Sequence, residues 1–157
     1  MPAWERPGRM LLLMLLGSVG IACIGAGNPT RVRVQRTLIA QSNVGIQTSA
    51  GCELSLDQSW IGEGPRERYT GLANSANLLA LDLDGTKFDI TNSVFNHNSP
   101  APGQFGGILV RNATASTPGR IVNTSFVRHE TASAARKALV LDCSPATTNI
   151  TIANSLF

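Results

Sequence analysis

Asp84, Arg111 and Asp142 are the residues whose types and spacing could do chemistry in this chain. Each closes a short alternation of apolar and polar residues. The three copies are Ala80-Leu81-Asp82-Leu83-Asp84-Gly85, Gly107-Ile108-Leu109-Val110-Arg111-Asn112 and Ala138-Leu139-Val140-Leu141-Asp142-Cys143, with Gly45-Ile46-Gln47-Thr48-Ser49 as an earlier one. If the copies stack, Ser49, Asp84, Arg111 and Asp142 share one outward column, while Leu81, Ile108 and Leu139 point inward. Asp84 and Asp142 then stand two rungs apart, about 9.6 Å between backbones. Inverting glycosidases hold their two carboxyls about 6.5–9.5 Å apart, so cleavage of a glycosidic bond is the chemistry in question. Arg111 opposes it, because a cation between two carboxylates favours their ionised forms and a general acid must keep its proton. The simpler expectation is an alternating-charge ladder on an exposed sheet. Asp82 offers a third carboxylate for a calcium ion, but it is expected on the strand face opposite Asp84, which disfavours chelation.

Strict alternation over four to six residues is the period of a strand with one buried face. A second pattern follows each copy. Ile90-Thr91-Asn92-Ser93-Val94-Phe95, Ile121-Val122-Asn123-Thr124-Ser125-Phe126 and Ile152-Ala153-Asn154-Ser155-Leu156-Phe157 recur at equal intervals of 31 residues. A weaker copy, Leu56-Asp57-Gln58-Ser59-Trp60-Ile61, is offset by 34. A fixed period of this size implies a stacked array. No segment after residue 30 has a helical apolar stripe, and Thr131 to Lys137 offers at most one helical turn. Each repeat therefore reads as strand, loop, strand, two-residue corner, strand. Strands that recur in one order and polarity stack in parallel, which predicts an all-β, parallel β-helix of about four coils.

Asn suits a tight corner because it tolerates the left-handed region better than most residues. Asn92, Asn123 and Asn154 are expected to face the core at successive corners and to form a hydrogen-bonded ladder. Ile90, Ile121 and Ile152 would stack inside, as would Phe95, Phe126 and Phe157. Asn112, Asn123 and Asn149 are also glycosylation sequons. For Asn123 the ladder role is expected, and Asn112, in a loop, is the plausible glycan site.

Residues 1–27 belong to another class. Met10 to Gly27 carries no charge, follows Arg6 and Arg9, and has a Leu-rich centre too short to span a bilayer alone. A basic start, apolar centre and small-residue exit describe a secretory signal peptide, cleaved between Ala22 and Gly27. The alternatives are a membrane anchor, opposed by Arg31, Arg33 and Arg36 just beyond it, and a lipoprotein site at Gly20-Ile21-Ala22-Cys23. Residues 28–157 then form one domain, secreted or held at the cell surface. Membrane contact is expected only if the N-terminal segment is retained.

The net charge of +3 and pI near 9.1 permit an acidic polysaccharide as partner. No basic run with interleaved aromatics points to nucleic acid. No motif calls for a cofactor. His97 and His129 are expected as solvated turn residues rather than metal ligands. With Cys23 in the leader, Cys52 and Cys143 remain, about 14 Å apart along the stack. A disulfide needs Cα atoms within about 7 Å, so both are expected to be unpaired.

The repeats, the Asn corner and Gln58-Ser59-Trp60-Ile61-Gly62-Glu63-Gly64 resemble the pectate-lyase-like superfamily of right-handed, single-stranded parallel β-helices. Cys52 to Asn98 is most similar to its polygalacturonase-like and tailspike-like members, in which a charged loop, matched by Pro65-Arg66-Glu67-Arg68, follows such a rung. The resemblance extends over residues 38 to 157. It implies a secreted protein that binds or acts on polysaccharide; an active member would be a hydrolase or lyase of the pectin and polygalacturonate class. The paired-Asp, Gly-His-Gly and Arg-Ile-Lys runs of polygalacturonases are missing from this sequence. So is the Asp-rich calcium cluster of pectate lyases. The chain ends at Phe157 within a coil, as a fragment would, and on its own it is expected to be inactive. The alternative is a non-catalytic structural or adhesive β-helix at the cell surface.

Overall fold

A computed structural model describes residues 11–14, 19–25, 29–40, 42–62, 79–96, 98, 107–127, 138–142 and 149–157. In chain order the strands are β1 (Leu11–Met14), β2 (Val19–Cys23), β3 (Thr30–Gln35), β4 (Thr37–Ala40), β5 (Val44–Thr48) and β6 (Cys52–Asp57). There follow β7 (Trp60–Gly62), β8 (Leu79–Asp84), β9 (Lys87–Thr91), β10 (Val94–Asn96) and β11 (Ile108–Arg111). The last are β12 (Gly119–Val122), β13 (Ser125–Val127), β14 (Leu139–Asp142) and β15 (Ile150–Ala153). Every third strand joins the same sheet: β1-β4-β7-β10-β13 form sheet I, β2-β5-β8-β11-β14 sheet II and β3-β6-β9-β12-β15 sheet III. All of the strand pairs are parallel. No helix occurs among the described residues. The molecule is all-β, with three stacked parallel sheets, and is consistent with a parallel β-helix.

Strand alternation sorts the side chains. In sheet III, Val34, Leu56, Ile90, Ile121 and Ile152 share one column. Its middle members are fully buried, and Ile152, on the edge strand, is 42% exposed. In sheet I, Ile39, Ile61, Phe95 and Phe126 share a column. The rings of Phe95, Phe126 and Phe157 stack nearly parallel, with centroids 5.0 and 4.8 Å apart. Together with Leu81, Leu83, Ile108 and Val110 of sheet II, these columns form one continuous core. Gly119 continues the column of Leu54 and Phe88, and a Cβ there would overlap the Phe88 ring.

The turn from sheet III into sheet I is where the Asn residues sit. Gln58, Asn92, Asn123 and Asn154 have φ of 49, 49, 51 and 48°, and Arg36 opens the series at 51°. The Arg36 corner escapes the sequence pattern because it carries Arg for Asn and precedes the next corner by only 22 residues. A rung of ladder bonds exists: the Asn123 amide donates to Asn92 Oδ1 at 3.3 Å, and Asn92 donates to Asp57 Oδ1 at 3.0 Å.

One expectation about this corner needs correcting: Asn92 and Asn123 are exposed, and the residue after each is the one that faces the core. Thr37, Ser59, Ser93 and Thr124 are buried, and each hydroxyl donates to the carbonyl two residues earlier. Their oxygens also accept main-chain N–H groups from the neighbouring rung: Thr37 N to Ser59 Oγ at 3.2 Å and Ser59 N to Ser93 Oγ at 3.3 Å. A left-handed residue turns its own side chain outward and its successor's inward, so the hydroxyl, not the amide, satisfies the buried corner. Asn112 is likewise a left-handed corner, φ 51°, rather than an open loop.

The cysteine expectation is overturned. Cys23 and Cys52 form a disulfide, with Cα atoms 6.3 Å apart. Cys23, which a cleaved leader excludes from pairing, ends β2, a strand of sheet II, and its carbonyl accepts the Ser49 N–H at 3.0 Å. The bond joins the end of β2 to the start of β6 across the turn between two sheets. Cys143, His97, His129, the loop Glu63 to Arg68 and the segment Thr131 to Lys137 lie outside the described residues.

Two measurements check this account. Ser93→Ala strands the Ser59 N–H and is expected to cost about 1–3 kcal/mol in denaturant unfolding. Asn123→Gly keeps the left-handed corner accessible and is expected to stay within about 1 kcal/mol of the parent; the reverse order would overturn the hydroxyl assignment. Peptide mapping of the unreduced protein is expected to recover a Cys23–Cys52 linked fragment, and Cys52→Ser to cost about 2–4 kcal/mol. A Cys52–Cys143 linkage would refute the register.

Candidate functional site

The outward face of sheet II holds the sequence-predicted residues. β8, β11 and β14 pair in register, so Arg111 lies beside Asp84 on one side and Asp142 on the other. Leu81, Ile108 and Leu139 form the inward column opposite. Arg111 does not sit evenly between the two predicted carboxylates. It reaches diagonally to Asp82, whose two oxygens accept from Nη2 at 2.8 Å each, with Nε donating to Oδ1 at 3.1 Å. Asp84 Oδ2 is 3.9 Å from the same guanidinium.

Asp82 and Asp84 therefore share a strand face, contrary to expectation. They are two residues apart in a strand, and the two-residue period puts such pairs on the same side. Asp82 is the more covered of them, its side chain 10% exposed against 34% for Asp84. Gln47 Nε2 donates to Asp82 from the preceding rung at 3.4 Å, and Asn112 Nδ2 donates to Asp84 Oδ1 at 2.6 Å. Hydrogen bonds to Asp82 hold the Arg111 guanidinium above its ordinary pKa; burial opposes them, and the charges of Asp82, Asp84 and Asp142 add to them. The arrangement is a bidentate ion pair with two flanking carboxylates. An acid facing a base across open space would look different. Among the described residues no cluster of His, Cys, Asp and Glu could hold a metal ion.

Sheet III presents a different surface, which sequence reasoning left aside. Its outward columns are Arg31, Glu53 and Lys87, then Arg33, Ser55, Asp89 and Arg120, then Gln35, Asp57 and Thr91. Glu53 binds Arg31 at 2.8 Å and Lys87 at 3.7 Å. Asp89 binds Arg120 through two bonds of 2.9 Å. Asp57 is held below the usual carboxylate range by hydrogen bonds from Asn92 and Thr91; burial opposes this, and Gln35 and the charge of Arg33 contribute further. Between the first two columns lies a groove of about 280 Å3, lined by their side chains except Arg120 and by Val32, Leu54 and Phe88. The signal for it was available as Arg31-Val32-Arg33, Glu53-Leu54-Ser55 and Lys87-Phe88-Asp89, three alternations with charged outer positions.

Comparison with protein-family models, with curated proteins and with solved structures finds no match for this chain.

Burial separates the two ion pairs. A double-mutant cycle on Asp82→Asn and Arg111→Leu is expected to give a coupling of about 1–2 kcal/mol, since the pair is bidentate and one partner is nearly covered. The more exposed Asp89–Arg120 pair is expected to show no measurable coupling at physiological salt. Equal couplings in urea unfolding would mean that the covering of Asp82 is not what sets its strength.

Proposed function

We propose that this chain is an exported, right-handed parallel β-helix that holds a polysaccharide without cleaving it. One observation carries this: the only cation in the predicted catalytic column is bound to Asp82 and close to Asp84. Inversion at a glycosidic centre needs a protonated carboxyl on one side and an open, basic carboxylate with room for water on the other. Here the strand position between Asp84 and Asp142 belongs to Arg111, whose guanidinium lies against Asp82 and 3.9 Å from Asp84. The superfamily resemblance supports polysaccharide as the ligand class, and handedness follows from the strong preference of parallel crossovers for the right-handed sense.

Export is supported by the Cys23–Cys52 bond, because disulfides persist mainly in oxidising compartments. The leader expected over residues 1–27 agrees with that bond only if cleavage falls before β2 or the segment remains as an anchor. The second reading is a structural or adhesive surface solenoid with no glycan ligand. It is favoured by how much of the outer face is given to internal charge and amide ladders.

Incubation of the full chain with a panel of neutral and acidic polysaccharides is expected to release no reducing ends and no unsaturated products, while affinity electrophoresis detects retention by at least one polymer. Cleavage lost in Asp84→Asn or Asp142→Asn would overturn the non-catalytic reading. Retention by none would leave the structural one.

A further inference from the structure

Resting on that reading, we propose that the groove along sheet III is the glycan site and that it selects an anionic saccharide chain through Arg33 and Ser55. The groove is lined by three cations, Arg31, Arg33 and Lys87, against two carboxylates, Glu53 and Asp89. Four of these five charges are already committed in ion pairs. Arg31 and Lys87 share Glu53, and Asp89 is taken by Arg120. Arg33 is the exception: among the described residues no carboxylate lies within ion-pair distance of it, and its side-chain bond is a long one of 3.4 Å to Gln35. Ser55, its neighbour in register on β6, makes no hydrogen bond through its hydroxyl among the described residues. A guanidinium with no ion pair, held only by that long bond to Gln35, beside a hydroxyl with no hydrogen bond among the described residues matches an anionic group flanked by sugar hydroxyls. The guanidinium fork takes the carboxylate or sulfate oxygens, and the serine hydroxyl takes a ring or hydroxyl oxygen.

The shape of the groove favours a chain over a small ion. Its two walls are columns that run along the stacking direction, with successive rungs about 4.8 Å apart. Val32, Leu54 and Phe88 alternate with the wall residues, and Leu54 and Phe88 are buried, so the surface they present between the walls is main chain. A linear polymer laid along that floor meets Arg31 and Arg33 on one rung, Glu53 and Ser55 on the next, and Lys87 and Asp89 on the third. Carboxylated and sulfated glycans share the chemistry that Arg33 would recognise, and binding assays distinguish them.

The experiment is calorimetric titration of the full chain with a uronate oligosaccharide, a sulfated oligosaccharide and a neutral oligosaccharide of matched length. At least one anionic probe is expected to bind, to bind more weakly as salt rises, and to bind better than the neutral one. Arg33→Gln is expected to weaken that binding about tenfold or more, the loss of one charge-assisted contact, with an unchanged melting temperature. Ser55→Asp, which places a carboxylate against Arg33, is expected to abolish it. Binding of the anionic probe that survives both substitutions would overturn the groove assignment and leave the polysaccharide reading standing. Equal binding of the neutral probe would overturn the anionic selection. No binding of any of the three would overturn both proposals.

Discussion

The left-handed corner between sheets III and I is the constraint on which the rest of the molecule depends. A chain that leaves one sheet and enters the next within two residues must turn its backbone sharply, and φ near 50° at Arg36, Gln58, Asn92, Asn123 and Asn154 does this. Such a turn brings peptide groups into the interior where no strand pairs them. The buried hydroxyls of Thr37, Ser59, Ser93 and Thr124, and the half-buried one of Ser155, meet that need, each bonding back to the carbonyl two residues earlier. An unpaired buried peptide group costs about twice what a made hydrogen bond contributes, so a hydroxyl at this place is strongly favoured. Once the corner is set, the strand on either side has its inward positions decided by alternation. The apolar columns follow from that.

The sequence carried the sheets more legibly than the surface. Alternation and the equal spacing of Asn92, Asn123 and Asn154 were enough to expect parallel stacking, because both patterns are direct consequences of strand geometry. The corner was half-legible: the Asn was visible, but Ser or Thr after it was the invariant feature of the copies and its inward direction went unread. Arg36-Thr37 was missed because an array detected by equal spacing hides a member that sits at an unequal one. Asp82 was misplaced by ignoring the same two-residue period that located Asp84. The disulfide is hidden in the sequence because Cys23 lies in an apolar, leader-like segment whose strand carries no copy of the repeat.

The two outer faces divide the charges differently, and burial accounts for the difference. On sheet II, Asp82 is nearly covered, which makes a lone carboxylate expensive and draws Arg111 away from an even position between Asp84 and Asp142. On sheet III the partners are more open, with Arg31 at 81% and Lys87 and Arg120 at 54% side-chain exposure. Pairs of that kind are screened and exchange readily with water, so an incoming ligand displaces them at little cost. A face built from weak pairs is better suited to binding than one built around a strong pair.

Spacing between equivalent corners varies along the chain, from 22 residues between Arg36 and Gln58 to 34 between Ser59 and Ser93 and 31 between Asn92 and Asn123. The strands stay in register over the same stretch. Most of the difference falls, in sequence, between the end of a sheet I strand and the start of the next sheet II strand. For descent with modification this separates two kinds of genetic change. Insertions and deletions between sheets I and II leave strand alternation untouched at a closure cost that grows only slowly with length, whereas loss of one codon within a strand inverts every side chain beyond it up to the next corner. Such a molecule can acquire new surface loops freely, and its ordered frame grows most readily by duplication of a whole turn.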